Sequence, residues 1–360
     1  MKPTDYYKDL RADLHRNPGV SGQESYAHDL IVRELHTLNP DELYDHVGGY
    51  GVIALWRSSQ PLNARTLAFR ADIDALPSGH RCGHDGHTAI MLRFARIVSE
   101  TKERKYNIVL LFQPEEETGE GARKIMKSGI LQRLGVDAIF GLHNLPGSPK
   151  GSVTLIRNTF SAASCGVIYK FIGRQTHAST PEMGLNPGLA VAETIQRINE
   201  LSVISASHFC FSTLICCRVG EEAFGTSAGN GEVMFTMRAS DNDAFTNLTQ
   251  TADKIAIEVA KKYGLVMEKQ VREPFRALEN TPRLVDQLKS CFDNELGVRE
   301  LAVPFRWSED FAEYLTEFQG AFFGLGSGEQ QPELHNPTYD FPDDIIEIGA
   351  HCFELIMKLI

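Results

Sequence analysis

Residues 66–89 read TLAFRADIDALPSGHRCGHDGHTA, an apolar run of strand length that passes directly into a dense polar segment. A short apolar run bounded by turn residues is typical of a buried strand. Further runs of this kind are separated by stretches with helical spacing near residues 88–100 and 120–133. Strands that alternate with helices predict an α/β sheet covered on both faces. The predicted strands are residues 52–56, 66–69, 108–112 and 138–142.

The middle of the chain has a different order of elements, which is strand, helix, strand, strand, helix, strand. This βαββαβ order is typical of a ferredoxin-like domain. The sequence therefore predicts a discontinuous α/β domain, residues 1–160 and 272–360, into which a ferredoxin-like domain over residues 161–271 is inserted. The elements predicted within the insert are strands at 164–173, 209–219, 232–239 and 265–271, and helices at 187–201 and 245–259.

The composition of the 360 residues, 42% hydrophobic and 23% charged, is ordinary for a globular protein and excludes disordered, collagen-like and coiled-coil classes. A net charge of −11 argues against nucleic acid as a partner. No run reaches the roughly 18 apolar residues of a membrane span. The first residues lack the plan of a signal peptide, and the seven irregularly spaced cysteines fit reduced thiols, so we expect a cytoplasmic protein with no membrane partner.

Polar side chains follow three of the predicted strands at the point where each strand ends. In open α/β sheets, ligands bind outside the carboxyl ends of the strands. We therefore expect a functional site formed by Asp72 and Asp74 after the second strand, Glu116 and Glu117 after the third, and His143 after the fourth.

The polar segment after residue 77 offers ligand atoms for a transition metal. Cys82, His84 and His87 provide sulfur and nitrogen, and the glycines between them allow the backbone to fold tightly around a cation. Any one of these histidines could instead be a core or surface residue, but together they favour a metal site. His335, in a loop before the last helix, is a further candidate because catalytic metal sites commonly take one ligand from a distant segment.

Glu116 and Glu117 are adjacent, and neighbouring side chains at a strand end point in different directions. One carboxylate can therefore bind a metal while the other faces water as a general base. A solvated turn is the alternative for a run of glutamates.

Short motifs in order along almost the whole chain resemble the M20 metallopeptidase superfamily. The closer resemblance is to its amidohydrolase branch, which contains N-acyl-amino-acid, hippurate and auxin-conjugate hydrolases. The motifs are LHRNP (14–18), RADIDALP (70–77), CGHDGHTA (82–89), FQPEEE (112–117), GLH (141–143), THAS (176–179), TMR (236–238), SEDF (308–311) and LHNP (334–337).

The resemblance implies two divalent metal ions per subunit, and the thiolate and imidazole ligands favour Zn²⁺, with Mn²⁺, Co²⁺ or Ni²⁺ as alternatives. It implies Glu116 as the general base, and Asp72 and Asp74 as residues that orient the ligands. The implied metal ligands are Cys82, His84, Glu117, His143 and His335.

The resemblance implies that the protein is a homodimer and that the inserted domain serves as its lid and dimerisation domain. It also implies roles for two residues of this domain. His177 would reach the active site of a partner subunit and stabilise the oxyanion, and Arg238 would bind the substrate carboxylate. The alternatives are a loop histidine and a strand-end ion pair.

We therefore expect a metal-dependent amidohydrolase that cleaves small N-acyl amino acids or related amides with a metal-activated water. A dipeptidase or aminopeptidase of the same superfamily is an alternative, and a non-catalytic protein that binds small acids is a more distant one. Two departures from the family bear on the substrate. Residues 78–81 form a shorter bridge than in relatives, and residues 227–232 replace an Asn-containing turn before Arg238.

Overall fold

The computed structural model of the protein describes residues 4–60 and 64–359. The chain divides into two compact units, one of residues 1–160, 278–302 and 310–360 and the other of residues 161–277 and 303–309. The second unit begins at the predicted residue but ends at 277 instead of 271, because its last strand continues through Phe275. It also includes residues 303–309, whose backbone accepts hydrogen bonds from Ala162.

The described part of the first unit contains the expected α/β sheet. Its helices are α1 (Thr4–Arg16), α2 (Ser25–His36), α3 (His84–Glu100), α4 (Gly121–Lys127), α5 (Ile130–Arg133), α8 (Pro282–Phe292) and α9 (Ile346–Leu359). Its strands are β1 (Glu42–Val47), β2 (Gly51–Trp56), β3 (Thr66–Asp72), β4 (Asn107–Gln113), β5 (Val136–Pro146), β6 (Val153–Ile156), β14 (Val298–Leu301) and β15 (Gln319–Gly328), and the short pair β7 (Thr159–Ser161) and β13 (Leu278–Glu279) lies apart.

The order of strands in this sheet is β1-β2-β4-β3-β5-β15-β6-β14. β3 is parallel to both β4 and β5, and β15 is parallel to β5, so these strands end at the same edge. At one side of the sheet, β2 pairs with β4 and β1 pairs with β2, both in the antiparallel direction. Every residue of β2 and β3 is buried, which explains why these strands read as continuous apolar runs rather than alternating ones.

Aromatic side chains join the sheet to two helices. Phe69 of β3 meets Phe94 of α3 edge to face, with ring centroids 4.8 Å apart, and lies 5.3 Å from Phe353 of α9. All three are buried. Edge-to-face pairs of this kind stabilise a core beyond their buried area.

The helices of this unit differ in two places from the prediction. α3 begins at His84, four residues earlier than expected, so a candidate ligand lies in its first turn. The helical stretch predicted over 120–133 is divided into α4 and α5, because Gly129 has a φ of 69°, which a helix interior does not allow.

The second unit has the predicted βαββαβ order, with one additional two-residue strand at residues 203–204, between the first helix and the second predicted strand. Its strands are β8 (Ala163–Ile172), β9 (Val203–Ile204), β10 (Phe209–Val219), β11 (Asn230–Ala239) and β12 (Val266–Phe275), and its helices are α6 (Gly188–Asn199) and α7 (Asn242–Lys262). They form an antiparallel sheet of order β12-β8-β11-β10-β9. Alternate residues of β8 and β11 are buried, and they pack with the apolar faces of α6 and α7 in one core.

No helix within residues 4–60 and 64–359 combines the length and the apolar character that a bilayer span requires.

Candidate metal centre

The candidate site lies where β3, β4 and β5 end and α3 begins. Asp72 closes β3, Glu116 and Glu117 follow the end of β4, His143 lies near the end of β5, and His84 opens α3. Because the three strands are parallel neighbours, their carboxyl ends bring these residues to one place.

The turn before α3 depends on glycine. Gly83 has a φ of 96°, a left-handed conformation, and a Cβ at this position would lie 2.6 Å from Oδ1 of Asn144. Glycine therefore permits the tight turn that sets Cys82 and His84 side by side.

The structure brings the five predicted ligands and Glu116 together in overlapping groups. Ligand atoms of Cys82, His84 and His143 all lie within 4.8 Å of one another, and Cys82 Sγ is 3.5 Å from His143 Nε2. The same 4.8 Å limit holds for Cys82, Glu117 and His335, and for His84, Glu116 and Glu117. Ligands more than 250 positions apart in the sequence thus converge in the folded chain.

The ligand atoms themselves indicate that a cation fits between them. Nε2 of His84 and Oε1 of Glu117 are buried and have no hydrogen-bond partner among the described residues. Buried polar atoms without partners are costly. Burial alone would lower the pKa of His84, but Asp72 and Cys82 raise it well above its ordinary value. The donor set of thiol, imidazole and carboxylate is one that divalent transition metals accept.

Hydrogen bonds at the other ring nitrogens orient the two buried imidazoles. His84 Nδ1 lies 3.0 Å from the carbonyl oxygen of Asp74 and 3.2 Å from its carboxylate, and His143 Nδ1 lies 2.9 Å from the carbonyl oxygen of Asn144. A proton held on Nδ1 leaves the lone pair of Nε2 for a metal.

Asp72 and Asp74 each bind groups around the centre. Asp74 accepts hydrogen bonds from Ser21 Oγ at 2.7 Å and from the Glu117 amide at 3.0 Å. Asp72 accepts one from Arg70 Nη1 at 2.6 Å.

His87, a candidate ligand on its residue type alone, is used differently. Its Nδ1 lies 2.5 Å from Oδ1 of Asp72, and its Nε2 lies 2.5 Å from Oδ1 and 3.2 Å from the backbone nitrogen of Asn144. Both ring nitrogens are therefore engaged, and His87 supports Asp72 instead of offering a free ligand atom.

Burial controls the protonation of the ligands. It raises the pKa of the Cys82 thiol well above its ordinary value, and the charge of Glu117 adds to this effect. It raises the pKa of Glu117 to about 7. It lowers the pKa of His143 and of His335, so these imidazoles are neutral near pH 7, which is the form that binds metals.

His335 lies on the open side of the centre, in contrast to the buried ligands. Its side chain is 55% exposed, and its Nε2 is 3.8 Å from Oε2 of Glu117. The backbone holds it in place, because its amide donates to the carbonyl oxygen of Arg81 at 2.8 Å and its φ is 66°.

Glu116 is only 6% exposed, and its Oε2 is 4.0 Å from His84 Nε2.

His177 and Arg238 belong to the second unit. His177 lies in an exposed turn, where the amide of Ser179 donates to its Nδ1 at 3.1 Å. Arg238, in β11, donates through Nη1 to the carbonyl oxygen of Arg306 at 2.8 Å and to Ser308 Oγ at 3.3 Å. The roles of both residues stay predictions.

A buried charge network that includes Asp72 was not predicted from the sequence. Arg70, with its side chain fully buried, donates to Asp72, to Gln113 Oε1 at 2.8 Å and to Asp310 at 2.9 Å. The available signal was an arginine inside an otherwise apolar strand, which needs a buried carboxylate as partner. Nothing local to Arg70 identifies Asp310, 240 positions away, as that partner.

Comparison with known proteins gives the context of this geometry. The family model described as peptidase family M20/M25/M40 matches residues 68–359. An uncharacterized hydrolase of Staphylococcus aureus (strain bovine RF122 / ET3-1) is 27% identical, and the alignment covers 99% of each chain. A candidate aminohydrolase of methicillin-resistant S. aureus has a similar fold, with a TM-score of 0.90, 23% identity and coverage of 99% of this chain and 96% of the other. The YXEP protein of Bacillus subtilis, described as a dinuclear metal-binding peptidase of the M20 family, gives a TM-score of 0.85 and 24% identity, with 99% of each chain covered.

Proposed function

Because the chain belongs to peptidase family M20/M25/M40 and is a metal-dependent hydrolase, we propose that it cleaves the amide bond of small N-acylated amino acids or related amides. The observation that carries the proposal is the convergence of five ligand side chains beside one further carboxylate, that of Glu116. A protein that only bound small acids would not need this carboxylate.

Two divalent cations per subunit would be held by Cys82, His84, Glu117, His143 and His335, with Zn²⁺ first and Mn²⁺, Co²⁺ or Ni²⁺ as alternatives. When bound, such cations act as Lewis acids toward the substrate carbonyl and lower the pKa of water.

Glu116 is proposed to move the proton. Its carboxylate accepts a proton from the attacking water as the new carbon–oxygen bond forms at the acyl carbon. The same carboxyl group then donates this proton to the nitrogen of the leaving amine as the carbon–nitrogen bond breaks. Its position supports the role, since it is almost fully buried and lies 4.0 Å from His84 Nε2.

Arg238 is proposed to bind the substrate carboxylate. Its described hydrogen bonds use Nη1 only, so Nε and Nη2 have no partner within the described part of the chain. Burial lowers the pKa of this guanidinium, yet arginine remains charged at neutral pH. A partly buried cation with unused donors favours a carboxylate ligand.

His177 is proposed to donate a hydrogen bond to the oxyanion in the active site of a partner subunit, which requires a homodimer. The amide of Ser179 donates to Nδ1, so the proton of the neutral ring lies on Nε2. That N–H is the kind of donor that an oxyanion needs.

All seven cysteines are free thiols, which supports a reducing compartment such as the cytoplasm.

The test is a substrate screen with a matched pair of variants. N-acetyl and N-benzoyl amino acids and free dipeptides are offered to the protein loaded with Zn²⁺, Mn²⁺ or Co²⁺. Glu116→Gln should lower kcat by 10²-fold or more, the scale of general-base catalysis. Glu115→Gln is the control, because this neighbouring carboxylate binds Lys124 at 2.6 Å and should leave kcat within about twofold.

Three outcomes contradict the proposal in different ways. Full activity of Glu116→Gln would exclude its role as the base. Cleavage of dipeptides in preference to acyl amino acids would identify a dipeptidase. Tight binding of an acyl amino acid without turnover in any metal form would identify a binding protein.

A further inference from the structure

We propose that His28, Asp45 and His46 form a further binding site for a divalent transition-metal ion of the Zn²⁺ type. One ligand atom from each of the three lies within 4.8 Å of the other two. His28 belongs to α2, and Asp45 and His46 belong to β1. None of the three takes part in the hydrolytic chemistry proposed above.

A bulge in β1 places Asp45 and His46 on the same side of the strand. Pairing with β2 passes from Tyr44 opposite Ile53 to Val47 opposite Gly51, so β1 has one residue more than its partner over this step. Neighbouring residues of a regular strand point to opposite faces. The bulge, with a φ of 49° at His46, changes this direction and lets both side chains approach α2. A left-handed backbone conformation is unfavourable for histidine, and such conformations are often found at functional sites.

His28 offers a buried ring nitrogen that is not otherwise used. The residue is only 4% exposed, and its Nδ1 lies 3.0 Å from Oδ1 of Asp29. Its Nε2 is buried and has no hydrogen-bond partner in the part of the chain that the structure describes. Asp29 favours the proton on Nδ1, and Nε2 then carries a lone pair. The arrangement of carboxylate, imidazole and vacant Nε2 is the one in which protein histidines bind metals.

The other two side chains complete a ligand set with access to solvent. The rings of His28 and His46 stack with centroids 4.1 Å apart and an angle of 24° between their planes. Asp45 and His46 are exposed, and among the described residues neither side chain has a hydrogen bond or ion pair. Two imidazoles and one carboxylate, with water in the fourth position, are a known ligand set for Zn²⁺. Ca²⁺ and Mg²⁺ prefer oxygen ligands and fit less well.

The site is tested by counting Zn²⁺ equivalents. Metal-stripped full-length protein is titrated with Zn²⁺ against a competing chelating dye, in the natural sequence and in His46→Gln and Asp45→Asn. The natural protein should bind one equivalent more than His46→Gln, or bind that equivalent at least about tenfold more tightly, because loss of even an outer-shell partner costs 10–100-fold. The control is His36→Gln, an exposed histidine on the same helix α2, which should match the natural protein.

The comparison between variants removes the contribution of the other metal centre, so this test and that of the hydrolytic function can fail independently. Both substituted residues are exposed, and circular dichroism is to be used to check that the variants fold. Equal numbers and affinities of Zn²⁺ in all four proteins would mean that the histidines only stack, and would overturn the proposal. In crystals saturated with Zn²⁺, an anomalous scattering peak between His28 and His46 is expected, and its absence would have the same meaning.

Discussion

The buried network around Asp310 should be a principal contributor to the stability of the first unit. Its carboxylate accepts hydrogen bonds from Arg70 Nη2 at 2.9 Å, from Gln113 Nε2 at 2.8 Å and from the Ala122 amide at 2.9 Å. The residue is 2% exposed, and Arg70 is 1% exposed. In Asp310→Ala, a carboxylate that binds the Arg70 guanidinium disappears, and water cannot replace it without entering the core.

Removing one partner of a buried charge pair costs about 3–5 kcal/mol. The whole stability of a protein is about 5–15 kcal/mol, so this substitution removes a large share of it. Each kcal/mol lowers Tm by about 2–4 °C in a domain of this size, so Asp310→Ala should melt about 6–20 °C below the natural protein. Thermal unfolding followed by circular dichroism in the presence of a chelator measures this without a contribution from bound metal.

Asp286→Ala is the matched control. Asp286 binds Arg157 through two hydrogen bonds of 2.9 and 3.0 Å, but both side chains are more than half exposed. Solvent screens this pair, so its loss should barely change Tm. If Asp310→Ala melted within 2 °C of Asp286→Ala, the reasoning that burial makes the Arg70 network important would be wrong.

Three shorter predictions concern the metal centre and the substrate. Cation affinity, measured by chelator competition between pH 5.5 and 8, should rise with pH. Burial raises the pKa of Glu117 to about 7 and also raises the pKa of Cys82, and both groups must lose a proton to bind a cation. An affinity that does not change with pH would contradict this. Gly83→Ala should lower Tm and bound metal by elemental analysis, because its Cβ would meet Asn144 at 2.6 Å where φ is 96°; unchanged metal content would show that the turn adapts. Arg238→Ala should raise KM for acyl amino acids at least tenfold and leave KM for acyl amines without a carboxylate unchanged; equal effects on both would refute the carboxylate contact.

Local patterns in the sequence predicted four strands of the first unit, the main elements of the insert and the residues of the candidate centre. The apolar runs at 66–69 and 108–112 lie inside β3 and β4, which pair with each other in parallel, and the alternation in the insert matches the buried face of β8. The candidate ligands could be found because parallel strands end at one edge, so residues that follow them along the chain become neighbours in space. His335 was a weaker candidate, because no local pattern connects it to Cys82, and the motif resemblance strengthened it.

Long-range packing decided the remaining features. His87 and His84 are alike in the sequence, and only the positions of Asp72 and Asn144 engage both nitrogens of one ring. The same holds for Arg70, whose partner Asp310 comes from a segment 240 residues away. Short-range periodicity carries the direction of side chains within one element, but not the contacts between distant elements.

The sequence by itself therefore determined four strands of the first unit, the main elements of the insert and the residue types at the strand ends, because these follow from apolar runs and from periods of 2 and 3.6 residues. Only the tertiary structure decided which ring nitrogens are free, where the insert ends and how a one-residue bulge turns Asp45 and His46 toward His28. A bulge shifts the register without changing the composition of the strand, so the pattern of apolar and polar residues does not predict it.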